Sequence, residues 1–276
     1  MKDFLRESFS YFGLFKRLSK AEKKYTPERV SYGSDKDQYF LYYEPENAVR
    51  SKVIFWVHGG GWNAGDPDYF DYVGQAIAGE GYRVISGGYR LSPKNKYPCQ
   101  IEDVCRCYNA AIGYLREKGI DTSKIVVSGP SAGAHLTSIL CYSAGDQEKY
   151  GVDISGIIGF AGFGGPYSFN NSTLTLRLLL NQLFSKDYDR KCGEPVNLIS
   201  KNHIPAILIQ SRHDGILNYS CAEEFAKKAE EAGNACEIYS VTDKKDTHSW
   251  YTAGCFLETR QENKGLDKFF TWIEQL

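Results

Sequence analysis

The stretch Lys124-Ile125-Val126-Val127-Ser128-Gly129-Pro130-Ser131-Ala132-Gly133-Ala134-His135-Leu136 decides how the rest of the chain is interpreted. It predicts a short apolar strand, an abrupt turn and then a helix. Ser131 lies in the turn, in a Gly-x-Ser-x-Gly pattern that places a serine hydroxyl at a sharp strand-to-helix corner. Gly129 and Gly133 leave room for the strand and the helix to pass closely, and Pro130 keeps Gly129 extended.

Length and composition exclude several classes of protein. A chain of 276 residues is ordinary for one α/β domain with a sizeable core, and we expect a single domain over 1–276. Lys and Arg total 33 against 34 Asp and Glu, so the net charge is −1. Proteins that bind nucleic acid or an anionic membrane usually carry an excess of basic residues. We therefore expect neither as a partner. No apolar run reaches the ~18–20 residues of a transmembrane helix, and the residues from Met1 to Glu7 lack a signal-peptide core.

The eight cysteines are scattered irregularly along the chain. Cys105 and Cys107 form the one tight pair, in a predicted helix where they cannot chelate from one face, and no Cys/His group has zinc spacing. We therefore expect reduced, mostly buried thiols, no metal, no cofactor and a cytoplasmic location.

Alternating strands and helices predict a mostly parallel sheet of about eight strands, covered by helices on both faces. The predicted strands are Arg29–Tyr32 and Gln38–Tyr43, both edge strands, then Ser51–Val57, Tyr82–Ser86, Ile125–Ser128, Ile154–Ala161, Ala206–Gln210 and Cys236–Val241. The predicted helices are 1–24, 69–78, 99–118, 131–142, 174–184, 220–232 and 256–274.

Two segments could cover a site at the strand ends. The helix over 1–24 is amphipathic, with Leu5, Phe9 and Phe12 on one face, and either packs on the body or caps a pocket. The segment 162–202, after strand 6, departs from the regular alternation of strands and helices. It is either a lid over the carboxyl ends of the strands or a solvent-facing elaboration.

His58-Gly59-Gly60-Gly61-Trp62 follows directly after a buried strand. Consecutive glycines let the backbone turn its N–H groups into a pocket. The amides of Gly60 and Gly61, with that of Ala132 at the start of a helix, could bind a tetrahedral oxyanion. A phosphate-binding loop is disfavoured because neither Gly-Lys-Ser/Thr nor G-x-G-x-x-G follows.

A nucleophilic serine needs an imidazole base that is held by an acid. We predict other roles for four of the five histidines. His58 braces the glycine loop, and His135 points along a helix. His203 lies in a loop, and His213 faces away from the neighbouring acid. His248 remains as the candidate base. Asp214, at a strand end, is the candidate acid, with Asp246 as the alternative.

The order Ser…Asp…His, the His-Gly-Gly-Gly-Trp loop and the Gly-Pro-Ser-Ala-Gly turn together resemble the α/β-hydrolase superfamily. The similar branch is the hormone-sensitive-lipase-like carboxylesterases, with the related kynurenine formamidases and the small feruloyl and acetyl-xylan esterases. The resemblance runs from about Val53 to Trp250. It implies an α/β-hydrolase fold in which Ser131 is the nucleophile, Asp214 the acid and His248 the base. It also implies that Gly60, Gly61 and Ala132 are the oxyanion donors.

We therefore expect a cofactor-free serine hydrolase that cleaves small carboxylic esters through an acyl-enzyme. Trp62 and Trp250 either wall an aromatic-lined substrate pocket or belong to the core. Many lipase-like relatives carry an acidic residue where this chain has Pro130, so the resemblance does not decide the substrate. The alternatives are an arylformamidase acting on N-formylkynurenine, an acetyl-xylan or feruloyl esterase, and a non-catalytic binding protein of the same fold.

Overall fold

The computed structural model describes residues 2–18, 21–46 and 50–276. Within these ranges one sheet contains eight strands. The strands are β1 Glu28–Ser31, β2 Tyr39–Tyr43, β3 Val53–Val57, β4 Arg83–Gly87, β5 Ile125–Pro130, β6 Ile157–Phe163, β7 Ala206–Ser211 and β8 Cys236–Val241. Their order across the sheet is β1-β2-β4-β3-β5-β6-β7-β8.

Six of the strands, from β4 to β8 across the sheet, pair in parallel, while β2 pairs antiparallel with both β1 and β4. The prediction of a mostly parallel sheet of about eight strands is thus confirmed. The prediction that Gln38–Tyr43 forms an edge strand was wrong, because β2 lies between β1 and β4 and all five of its residues are buried. Its aromatic run fits a strand that is covered on both faces.

Helices cover both faces of this sheet. The helices within the described ranges are α1 Lys2–Leu18, α2 Asp71–Gly79, α3 Cys99–Glu117, α4 Ala132–Tyr142, α5 Ala144–Tyr150, α6 Leu174–Leu183, α7 Ser220–Glu231, α8 His248–Thr252 and α9 Lys264–Gln275. Alternate residues of one strand enter different core layers. Phe55 packs in the layer with α3, α4 and α7, and Trp56 packs in the layer with α2 and α9.

The helix α5 was not predicted. Its seven residues contribute no buried side chain, so it has no apolar periodicity to detect. The signal that the sequence does offer is a cap: the Ser143 hydroxyl accepts the backbone N–H of Asp146 at 3.3 Å. Gly151, in a left-handed conformation, ends the helix.

The C-terminal helix was predicted from 256 and begins only at Lys264, where the Asn263 side chain accepts the backbone N–H of Leu266. The preceding residues form α8, which starts at His248, and a 3₁₀ turn, Gly254–Leu257. His248 is therefore the first residue of a short helix, whereas the sequence predicted it in a loop.

The N-terminal helix is shorter than predicted. It is described from Lys2 to Leu18, and residues 21–24 are not helical. The backbone N–H groups of Lys24 and Tyr25 donate to the Gln75 side chain at 2.9 and 2.8 Å, which holds this segment along α2. Phe9 is 77% exposed, so it does not belong to the packed face of the helix. The side chains of Leu5 and Phe12, and residues 1, 19 and 20, lie outside the described part.

The segment predicted as an insertion starts with the last two residues of β6 and contains α6 and the 3₁₀ turns Arg190–Gly193 and Pro195–Asn197. All eight cysteines are free, and five of them are buried. In the described ranges no helix has the length and hydropathy to cross a membrane.

Helix α4 crosses strand β3 without space for a side chain. A Cβ atom on Gly133 would lie 2.0 Å from the Val57 carbonyl oxygen and 2.7 Å from that of His58. Both obstacles are backbone atoms, which cannot rotate away. The glycine therefore sets how closely α4 approaches the sheet.

We predict that Gly133→Ala lowers the free energy of unfolding by at least ~1–3 kcal/mol, because the methyl group must push α4 away from β3. Urea denaturation measures this change. The matched control is Gly113→Ala in the exposed part of α3, where nothing lies within 4 Å of the added atom. That variant should gain ~0.5–1 kcal/mol through helix propensity. Equal stability of the two variants would refute the close approach.

Candidate active site

Ser131 lies between the end of β5 and the start of α4, with φ 50° and ψ −119°. Such a conformation costs a non-glycine residue ~1–3 kcal/mol and persists only where the surroundings impose it. Here its N–H donates to the Phe163 carbonyl at 2.7 Å, and its own carbonyl accepts the N–H of His135 at 3.0 Å. The turn therefore fixes the backbone from both sides.

The structure brings three side chains from distant parts of the chain into one hydrogen-bonded row. The Nε2 atom of His248 lies 2.9 Å from Oγ of Ser131, and its Nδ1 atom lies 2.8 Å from Oδ2 of Asp214. Ser131 follows β5, Asp214 follows β7, and His248 begins α8 after β8. The carboxyl ends of parallel strands share one edge of the sheet, which explains their convergence.

The side chain of Asp214 is buried and accepts several hydrogen bonds. Its Oδ1 atom accepts the backbone N–H groups of Ile216 and Leu217 at 2.8 and 2.7 Å, and its Oδ2 atom accepts the hydroxyl of Tyr251 at 2.7 Å. Burial alone would raise the pKa of Asp214, but His248 and these donors lower it overall. The residue is therefore held as a carboxylate. Tyr251 was not predicted, because no local motif marks it.

His248 is also buried, and burial lowers its pKa. The charge of Asp214 and the hydrogen bond to it outweigh burial, and Glu7 adds to them, so that the pKa of His248 is raised above its usual 6.5. The bond to Asp214 selects the tautomer with a proton on Nδ1, which leaves Nε2 free to accept the Ser131 hydroxyl proton.

The alternative acid, Asp246, makes no hydrogen bond to the His248 ring within the described residues. It is buried, one of its carboxylate oxygens has no hydrogen-bond partner there, and burial raises its pKa to about 6. The geometry therefore pairs Asp214, rather than Asp246, with the imidazole.

Two other histidines are buried in structural positions. His58 stacks on Tyr89 with ring centroids 4.3 Å apart, and its Nδ1 atom lies 2.7 Å from the Gly59 carbonyl oxygen. His135 accepts the indole N–H of Trp62 at 3.3 Å and donates from Nε2 to the Gly193 carbonyl at 2.8 Å. Burial lowers the pKa of each to about 4.

The remaining two histidines lie at the places that the sequence indicated. His203 is a loop residue with a positive φ of 63°, and its backbone N–H donates to the Asn234 side chain. The backbone N–H of His213 donates to the Ser211 hydroxyl at 3.0 Å.

The glycine loop folds against the serine turn. Gly60 and Gly61 have φ of 104° and 59°, and the Gly60 carbonyl accepts the N–H groups of Asn63 and Ala64. The hydrogen bonds within the described ranges use none of the amide N–H groups of Gly60, Gly61 and Ala132. A Cβ atom on Gly59 would lie 3.5 Å from Cβ of Ser131, so the loop is adjacent to the hydroxyl. These N–H groups can donate hydrogen bonds to an anionic oxygen.

Ser131 and His248 open into a cavity of about 630 Å³. Its walls come from the glycine loop, the segment 63–70, α6, α8 and α1, and most of them are apolar. The helical residues among the described lining are Leu14 of α1, Thr175 and Leu179 of α6, and His248, Ser249 and Thr252 of α8. The N-terminal helix and the segment 162–202 therefore both reach this cavity.

Trp62 and Trp250 are not among the lining residues. Trp62 is buried beneath the loop with its indole bonded to His135, and Trp250 donates to Glu258 at 3.2 Å. Both tryptophans therefore occupy buried core positions rather than forming a wall of the cavity. Among the side chains that the structure describes, the aromatic residues Tyr69 and Phe70 line the cavity. Their sequence context is a helix start, which gives no signal of a pocket.

A family comparison adds to this geometry. The BD-FAE family model matches residues 40–229, more than half of the chain. The chain belongs to the BD-FAE family. The matched part contains Ser131 and Asp214, whereas His248 lies beyond it. This family membership confirms the predicted resemblance to the α/β-hydrolase superfamily.

Two similar proteins are named as enzymes that cleave esters. The carboxylesterase NlhH of Mycobacterium tuberculosis is 35% identical over 107 residues, which are 38% of this chain and 34% of that protein. The BD-FAE chain thus aligns with about a third of that relative. The ethyl acetate hydrolase of Pseudomonas putida is 23% identical over 240 residues, 80% of this chain and 74% of the relative.

Among solved structures, a hyperthermophilic esterase from the archaeon Pyrobaculum calidifontis superposes with a TM-score of 0.79. It is 19% identical, and the superposition covers 98% of this chain and 92% of that one. At this identity the likeness establishes the α/β-hydrolase fold of the BD-FAE chain and nothing finer.

The environments of the histidines predict a titration by NMR. The imidazole of His248 should gain its proton above pH 6.5, since the Asp214 carboxylate stabilises its charge. His58 and His135 should stay neutral until the pH approaches 4, because burial disfavours their charged forms. A His248 that titrates below 6.5 would mean that its pairing with Asp214 is absent in solution.

Proposed function

We propose that this protein hydrolyses small carboxylic esters, with Ser131 as the nucleophile, His248 as the general base and Asp214 as its acidic partner. The observation that carries the proposal is the continuous row of hydrogen bonds from Ser131 through His248 to Asp214, opening into a cavity. The names of the relatives, a carboxylesterase and an ethyl acetate hydrolase, support the same reaction class.

In the first half of the reaction, Oγ of Ser131 attacks the ester carbonyl while its proton passes to Nε2 of His248. The Asp214 carboxylate stabilises the resulting imidazolium through Nδ1–H. The carbonyl oxygen becomes an anion, for which the amides of Gly60, Gly61 and Ala132 are the candidate donors. One such donor is typically worth ~2.7–4 kcal/mol in the transition state.

Collapse of the tetrahedral intermediate breaks the bond between the carbonyl carbon and the alcohol oxygen. The alcohol leaves with the proton from Nε2, and the acyl group stays on Ser131. Water then gives its proton to the same nitrogen and attacks the acyl carbon, which releases the acid and restores the Ser131 hydroxyl.

The cavity indicates the class of substrate. A volume of about 630 Å³ with mostly apolar walls suits a small or medium ester. Leu14 of α1 and Leu179 of α6 contribute apolar surface from outside the sheet. We therefore propose that both helices roof the substrate cavity, which is the cap function considered for 1–24 and 162–202.

We expect Ser131→Ala to lose essentially all hydrolysis of p-nitrophenyl acetate, because it removes the hydroxyl that His248 Nε2 contacts at 2.9 Å. A fluorophosphonate should add one label per wild-type chain, at Ser131, and none to the variant. Far-UV circular dichroism checks that the variant is folded. Normal turnover by folded Ser131→Ala would remove the nucleophile assignment, and faster cleavage of N-formylkynurenine than of acetyl or butyryl esters would favour the formamidase reaction.

A histidine base should make the enzyme lose activity at low pH. Only neutral His248 can accept the serine proton, so kcat/KM should fall as the pH decreases through the pKa of this residue. Because that pKa is raised, the midpoint should lie above pH 6.5. A pH profile with p-nitrophenyl acetate measures it. A flat rate from pH 8 to pH 5 would contradict a histidine base.

A further inference from the structure

Glu7 is a buried carboxylate that the reaction above does not use. It lies on α1 and is 3% exposed, and its two oxygens face the start of α8. Oε2 accepts the backbone N–H of His248 and Oε1 that of Ser249, both at 2.7 Å. A buried charge is costly unless it is paired or hydrogen-bonded, and charge-assisted bonds of this length are strong.

Helix α8 depends on this contact for its N-terminus. Its N-cap residue, Thr247, makes no side-chain capping bond, so the first amides would otherwise lack partners. Glu7 supplies the cap from 241 positions earlier in the chain. Its negative charge also suits the positive end of a helix. A helix of five residues is too short to be stable without such tertiary support.

The same face of α1 contacts the rest of α8. The Ser10 hydroxyl accepts hydrogen bonds from the hydroxyls of Thr247 and Ser249, at 2.7 and 3.1 Å. One turn further on, Leu14 reaches the cavity, and the guanidinium of Arg17 lies 5.0 Å from the ring centroid of Trp250. Spacings of three, four and three residues place Glu7, Ser10, Leu14 and Arg17 on one side of a helix.

We propose that Glu7 is a positioning residue for the base: by capping α8 it holds the backbone of His248 so that Nε2 stays in line with Ser131. This inference rests on the proposed function of His248. The 2.9 Å contact between Nε2 and Oγ depends on where α8 begins, because the imidazole is attached to its first residue. A displacement of about 1 Å at such a site can cost on the order of 10²-fold in rate.

Glu7 acts on His248 through charge as well. Within the described part of the chain, the groups that face His248 are Asp214 on Nδ1, Ser131 on Nε2, Tyr251 with its ring centroid at 6.0 Å, and Glu7 at the backbone N–H. Glu7 and Asp214 are the carboxylates among them, and each favours the imidazolium and raises the pKa of His248. Loss of the Glu7 charge should therefore lower that pKa.

The test is Glu7→Gln, with Glu148→Gln as the control for net charge. The amide keeps the shape of the side chain but leaves one acceptor oxygen for two backbone donors. Glu148 lies exposed on α5. With p-nitrophenyl acetate we expect kcat of Glu7→Gln to fall about 10- to 100-fold with KM nearly unchanged. The acidic side of its pH–activity profile should move to lower pH. The control should match the wild type in both.

NMR titration of His248 provides a readout that does not need activity. Its pKa should be lower in Glu7→Gln than in the wild type and unchanged in Glu148→Gln. Glu7→Asp keeps the charge but is one methylene shorter, so it should lose kcat while the His248 pKa stays closer to the wild-type value. It also serves as the deciding variant if Glu7→Gln melts below the assay temperature.

Wild-type values of kcat and of the His248 pKa in folded Glu7→Gln, or in folded Glu7→Asp where that variant decides, would overturn the positioning role. Wild-type protein that neither turns over esters nor reacts with a fluorophosphonate would instead refute the proposed function. In that case the titration of His248 still decides whether Glu7 acts on it.

Discussion

The backbone of Ser131 is the constraint on which the rest of the site depends. Its positive φ is unfavourable for a serine and exists because β5 must end and α4 must begin within one residue, with the helix pressed against β3 at Gly133. The same corner directs the hydroxyl away from the sheet and opens the helix with the amide of Ala132. The backbone strain, the proposed nucleophile and a candidate anion-binding donor thus share one turn.

The proposed base is held by a different means. His248 lies on a five-residue helix near the C-terminal end of the chain, and its ring is fixed by Asp214 while its backbone is fixed by Glu7. The serine is therefore placed by the rigid sheet, whereas the imidazole is placed by contacts between elements remote in sequence. Because α1 also contributes Leu14 to the cavity, one helix links the base to the substrate space.

The sequence predicted what local rules and strand order can carry: the parallel sheet, the turn at Ser131 and the choice of Asp214 and His248 as its neighbours. It did not predict α5, which lacks an apolar face, or the burial of Tyr39–Tyr43 between two strands. The direction of Trp62 depends on a tertiary bond to His135. Glu7 is invisible to any local pattern because its partners lie 241 and 242 residues away. The cytoplasmic location stays a prediction.

The central claim is that a tetrahedral oxyanion formed on Ser131 faces the amides of the glycine loop and of Ala132. A crystal structure of the protein after reaction with a p-nitrophenyl phosphonate tests it most directly. The account predicts phosphorus bonded to Oγ of Ser131, and a phosphonyl oxygen about 2.7–3.1 Å from amide nitrogens among Gly60, Gly61 and Ala132. An adduct on another residue, or a phosphonyl oxygen directed into the solvent, would contradict it.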